Sequence, residues 1–154
     1  MAAIEAADLR SPVTRAGYEY WLIKKGDRAF PSRADFDPLL EQPKLSRNIV
    51  LVDVERDPLD FRYRYIGTKV RENMTAEWTG KRMSEIPMQR APNPIWRHHL
   101  WVLEHRRPRF YRPAYLGPHK EFKFIESAQL PLGSEGGEID MMMVFVDFLR
   151  KNVI

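Results

Sequence analysis

The chain has no cysteine. That excludes a disulfide framework, thiolate zinc sites, a cysteine nucleophile, thioether-linked haem and a flavin–cysteinyl photoadduct. Long apolar runs are missing too. The longest, Met141–Val146, has six residues, far short of the roughly 18 a membrane-spanning helix needs. Residues 1–20 carry Glu5, Asp8, Arg10 and Arg15 and no apolar leader stretch. Glycine is scarce, eight residues against twelve prolines, and no glycine-rich phosphate loop occurs. Ser32, Ser84 and Ser127 lie in no nucleophile-elbow motif, and no carboxylate pair stands out. The four histidines, His98, His99, His105 and His119, show no metal-binding spacing. The expectation is a cytoplasmic protein that is not an enzyme and holds no metal.

What is present fits one globular domain. The 154 residues are 44% hydrophobic and 30% charged, enough apolar material for one core. The net charge is +4, with 17 arginines against 8 lysines. Arginine suits ion pairs, stacks on aromatic rings and planar anions.

Residues 1–13 read as a flexible lead broken by Ser11-Pro12. Thr14–Lys25 is expected to be helical, because Tyr18, Trp21, Leu22 and Lys25 recur at helical spacing and Gly26 closes the pattern. Asp37-Pro38 has the form of a helix start, and the short helix it opens ends near Gln42. Residues 14–45 thus form an N-terminal helical extension. The remaining 46–150 hold the main domain. Arg47–Glu55 is expected to be a buried strand, with Ile49–Val52 at its centre. In Phe61–Tyr65 aromatics alternate with Arg62 and Arg64, which predicts a strand with aromatics on one face. Short helices and loops fill 68–90. Pro94–His105 is a helix with Ile95, His98, His99 and Val102 on one side. Three strands follow: Arg107–Tyr115, Glu121–Leu130 and Glu138–Phe148, the last two joined by a turn at Leu132–Gly137. Two strands, a helical crossover and three strands predict an α+β fold. Its five-stranded antiparallel sheet would carry helices on one face, with the other wet or covered by the extra N-terminal helix.

That element order resembles the PAS fold. Particular residues resemble one PAS-like family of stand-alone proteins common in alphaproteobacteria. They are Tyr20-Trp21, the segment Pro31-Ser32-Arg33-Ala34-Asp35-Phe36-Asp37-Pro38, the strand end Leu51-Val52-Asp53-Val54, the run Phe61 to Thr68, and Thr79-Gly80-Lys81. The resemblance covers roughly residues 18–148 and implies a sensory or interaction module. It would hold a small molecule between sheet and helices, or use the sheet to dimerise. A chain of this length leaves no room for a kinase, cyclase or DNA-binding output domain. Output is therefore expected through a homodimer or a signalling partner.

The expected ligand-binding residues are Arg64, Tyr63, Tyr65, Trp96, His99, Phe122, Phe124, Met141 and Met143. Arg64 suits a carboxylate or phosphate, but Asp53 or Glu55 on the neighbouring strand offers an ion pair, and that pairing is the expectation. Arg33 is expected to pair with Asp35 or a helix C-terminus, with anchoring of an anion as its alternative. The resemblance brings haem into view, since PAS domains that bind it use a histidine on the matching helix. Neither haem nor flavin is expected; the residues name no cofactor, and a small metabolite is left open. Arg106–Arg112 with Lys120 and Lys123 is basic and aromatic, yet a charge-protected strand edge explains it without nucleic acid. The leading expectation is a sensor that binds a small molecule. A ligand-free dimerisation module is its alternative.

Overall fold

A computed structural model describes residues 3–74, 76–134 and 137–153. The order is β1 (Ala3–Ile4), α1 (Pro12–Lys25), α2 (Pro38–Glu41), β2 (Ile49–Glu55), β3 (Asp60–Ile66), α3 (Thr68–Glu72), α4 (Pro94–His105), β4 (Arg109–Tyr111), β5 (Phe122–Gly133) and β6 (Ile139–Arg150), with short 3-10 turns between them. All six strands form one antiparallel sheet in the order β1-β4-β5-β6-β2-β3. The expected α+β arrangement is present, with a sixth strand added at one edge. Positions 135 and 136 of the β5–β6 turn lie outside the described residues.

Helices cover both faces of the sheet. On one face α1 lays Tyr20 and Trp21 against Ile49 and Leu51 of β2, Ala128 and Leu130 of β5, and Met143 and Phe145 of β6. On the other, Val70 of α3, Val102 of α4, and Trp78, Met83 and Ile86 of the crossover pack on Val50, Val52, Phe61, Tyr63, Met142 and Val144. This explains the unbroken apolar runs. A strand with a wet face alternates, whereas one buried on both sides is apolar throughout. Met141 and Met143 therefore point to the α1 side and Met142 to the α4 side.

Residues 3–13 are not the free lead that composition suggested. Ala3 and Ile4 pair with Tyr111 and Phe110, and Leu9 is buried. Ser11 is the N-cap of α1: its side chain accepts from the amides of Val13 and Thr14, and Pro12 takes the first helical position. A hydroxyl cap followed by proline satisfies or removes amides that a helix start leaves unpaired. The helix thus begins before Thr14. Its buried seam is Thr14, Gly17, Tyr20 and Trp21, while Leu22 is exposed. Gly17 lets the helix lie flat on Phe145, since a Cβ there would stand 2.3 Å from the ring. The Trp21 indole donates to the Pro131 carbonyl at 2.9 Å. Extension and sheet share one core.

Strand β3 departs from strict alternation. Leu51 pairs with Tyr65, but Val52 pairs with Tyr63, so Arg64 is the extra residue of a β-bulge. A bulge shifts the face of every residue beyond it. Tyr63 accordingly packs on the α4 side and Tyr65 on the α1 side. The outer edge of β3 is occupied by residues 80–82. Gly80 N–H donates to the Tyr63 carbonyl at 2.7 Å, and Tyr63 N–H donates to Lys81 at 3.0 Å. Strand β4 is shorter than predicted, and beyond Pro113 only a bridge between Ala114 and Phe124 continues it. Proline lacks the amide that a ladder needs.

Candidate functional site: the α4 layer and an arginine cleft

Two regions gather polar groups where the core would otherwise be apolar. The first lies between α4 and the sheet. Helix α4 starts at Asn93-Pro94 and ends on Arg106 in the left-handed region, φ 57°. This span turns His98, His99 and Val102 inward.

His99 Nδ1 lies 2.9 Å from the carbonyl of Ile95. A carbonyl only accepts, so Nδ1 carries the proton and Nε2 is left as an acceptor. Nε2 is buried and has no partner among the described residues. The ring sits 4.9 Å from Phe61. Burial pulls the imidazole down to about 4, so it is neutral at pH 7. His98 is likewise pulled down to about 4, by burial and then by Arg109. Its ring stacks on Tyr111 at 4.1 Å, and Arg109 Nε donates to its Nδ1 at 3.1 Å.

Polar side chains of the sheet meet this layer. The Tyr63 hydroxyl donates to Gln89 Oε1 at 2.6 Å, and burial raises the Tyr63 phenol above its ordinary value. Burial pushes the Tyr111 phenol up to about 12. Gln129, fully buried, points its Nε2 at Met142 Sδ, 3.1 Å away, and its Oε1 has no partner among the described residues. Turning the amide over would leave an unpaired donor instead. An unsatisfied buried polar atom costs about 1–3 kcal/mol. This layer therefore holds two buried acceptors, His99 Nε2 and Gln129 Oε1, with no partner among the described residues.

The second region is a cleft of about 210 Å³ on the α1 side. Pro38, Ile49 and Leu51 line it with apolar surface, together with Tyr65, Ser46, Asp37, Arg33 and Arg64. The bulge carries Arg64 to its rim. Arg64 Nε reaches both Asp53 oxygens at 2.9 Å. Arg62 pairs with Glu55 at 2.8 Å. The Arg64–Asp53 pairing matches expectation. Arg33 does not pair with Asp35, which Arg28 holds at 2.9 Å. Arg33 Nη1 donates at 2.9 Å to the carbonyl of Phe36, the C-cap of the 3-10 turn Arg33–Asp35, so the helix C-terminus is the expected partner it takes.

The nine predicted ligand residues are divided among separate places. Tyr63, Trp96 and His99 belong to the α4 layer, where Trp96 and His99 flank Phe61 at 5.0 and 4.9 Å. Arg64 and Tyr65 line the cleft. Met141 and Met143 are core on the α1 face. Phe122 packs with Tyr115 and Phe148 near the start of β5, and Phe124 is half-buried beside Lys123. Gln129 and Gln89 were missed. The signal for Gln129 was a glutamine between Ala128 and Leu130 in a strand buried on both faces. The basic stretch is partly consumed inside the fold: Arg106 donates to Gly137, Arg109 to His98, and Arg112 to Glu126 and Asp8.

Among the described residues, no three His, Cys, Asp or Glu side chains cluster as a metal site. No described helix is long and apolar enough to cross a membrane. A sensory box sensor histidine kinase from Vibrio cholerae is a similar solved structure. It covers 72% of this chain and 90% of its own, with 19% identity and a TM-score of 0.49. No curated protein matches. The PAS domain model matches residues 9–109, from the end of the lead through the start of β4, and the chain belongs to the PAS domain family.

Proposed function

We propose that this PAS domain is a cytoplasmic sensory module that holds a small, uncharged hydrogen-bond donor between α4 and the sheet. It would report occupancy to a partner protein or a second copy. The single observation that carries this reading is the pair of unpartnered buried acceptors, His99 Nε2 and Gln129 Oε1. A ligand donating to both would offset about 1–3 kcal/mol at each. Charge argues for a neutral ligand: His98 and His99 are neutral at pH 7 and Arg109 stands beside them, so a cation would be repelled. Signalling follows from differential affinity. A ligand that favours one packing of α4 on Tyr111 and Phe61 shifts the population of the helix face seen by a partner.

A ligand-free interaction module is favoured by one specific observation. Phe61, Met83, Val102 and Met142 in the same layer have no exposed surface, so packed side chains fill much of it.

Native mass spectrometry of the protein as purified from cells, against its denatured mass, separates the two readings. Sensing predicts a mass excess that is lost on denaturation and absent from Gln129→Leu. The bare chain mass, with Gln129→Leu more stable than the parent, would establish the ligand-free module.

A further inference from the structure

The arginine cleft is distinct from the α4 layer, because it opens on the opposite face of the sheet. Its chemistry is also different. Asp53 is met through Nε of Arg64 alone, and no hydrogen bond among the described residues reaches the two terminal nitrogens. Arg33 spends one nitrogen on Phe36, and its others make no hydrogen bond among the described residues. Two guanidinium groups with N–H bonds to spare thus line one concavity. An arginine fork matches a carboxylate in two parallel bonds. Asp53 fixes the Arg64 side chain from behind, which lowers the ordering cost of a new contact. Below the rim, Pro38, Ile49 and Leu51 are buried apolar side chains, and Tyr65 adds a half-buried ring. Asp37 on the same lining disfavours a polyanion.

We propose that this cleft binds a small monocarboxylate with an apolar body, its carboxylate held by Arg33 and Arg64 and its body resting on Ile49, Leu51 and Tyr65. Such a ligand bridges the N-terminal extension, which supplies Arg33 and Pro38, to strands β2 and β3. That extension segment is already tied to α1, since Glu41 accepts from Tyr20 at 2.7 Å and pairs with Lys24 at 2.5 Å. Occupancy is therefore felt by α1.

The test is calorimetric titration with butyrate and benzoate, with benzamide as the uncharged isostere and inorganic phosphate as the compact anion. Saturable binding of benzoate, at least tenfold weaker for benzamide and phosphate, is the expected result. Arg33→Met and Arg64→Met should each weaken benzoate at least tenfold, whereas Arg15→Met on the outer face of α1 should not. Should Arg64→Met fail to fold, amide shifts of the parent on adding benzoate must centre on Ser46, Leu51 and Tyr65. Failure of both carboxylates to saturate, equal binding by Arg33→Met, or shifts centred on α4 would each overturn the proposal.

Discussion

Glu126 and Asp147 stand directly opposite each other across β5 and β6, two carboxylates in register on the face that carries α1. Like charges in that position repel. The start of α1 resolves the conflict. Ser11 donates its amide to Glu126 at 2.9 Å and its hydroxyl to Asp147 at 2.6 Å. Thr14 and the Arg10 amide add bonds to Glu126, and Arg112 pairs with it at 2.9 Å. Lys69 lies 3.4 Å from Asp147. A helix N-terminus carries partial positive charge, so the carboxylates and α1 stabilise one another.

Burial alone would raise the Glu126 carboxyl, but its bonds from Thr14, Ser11, Arg10 and Arg112 outweigh this and hold it below the ordinary value. A depressed carboxylate stabilises the fold above its unfolded value and loses that contribution as pH falls through its folded one. Stability should therefore drop as pH falls below about 4.5. Glu126→Gln should cost about 3 kcal/mol at pH 7 and flatten that drop. Urea denaturation from pH 3 to 7 checks both. A parent and variant with parallel pH curves would contradict the account.

The histidines give a second pH window. With His98 and His99 pulled down to about 4, folded protein stays neutral there while the unfolded chain takes up protons below about 6.5. Their contribution is complete above 6.5 and shrinks as pH falls toward 4. Imidazole proton NMR should show His98 and His99 not titrating between pH 8 and 5. Titration of both near about 6.5 would sink the assignment.

Gly17→Ala tests the flat contact of α1. Alanine gains about 1 kcal/mol of helix propensity. Its Cβ, however, would stand 2.3 Å from a fully buried Phe145 ring that cannot swing out. Overpacking costs about 1–3 kcal/mol, so a net loss near 1 kcal/mol is expected by chemical denaturation. Phe145→Leu in the same chain should recover part of it.

Tyr63→Phe leaves Gln89 Oε1 without the hydroxyl that donates at 2.6 Å. A loss of about 1–2 kcal/mol is expected. Adding Gln89→Leu should cost less than the sum of the single changes, because both then remove the same bond. Strict additivity in a double-mutant cycle would refute the coupling.

The element order and the buried strands β2 and β6 were legible because apolar runs and turn residues mark them. The start of α1 was written in Ser11-Pro12, but the apolar stripe beginning at Tyr18 drew the boundary inward. The bulge was invisible. Bulges of this kind need no glycine, and Phe61–Tyr65 alternates perfectly as text. One unpaired residue, Arg64, moved Tyr65 to the opposite face, away from Tyr63. Arg64 with Asp53 was legible as a cross-strand pair, whereas Arg33 lost Asp35 to Arg28, a partner set by how the chain folds back. Gln89 and Gln129 gave no periodic signal, since their importance comes from what they face.

With the backbone of residues 80–82 along β3, the sheet has no long free margin among the described residues. On one side the carbonyl and amide of Tyr63 are already taken, and on the other β1 is only two residues long. A strand from another molecule finds little ladder to join, which guards a sheet rich in Val, Ile, Phe and Tyr against edge-to-edge polymerisation. Any contact between copies of this protein would thereby be steered to its helices and loops, where the side chains rather than the main chain choose the companion.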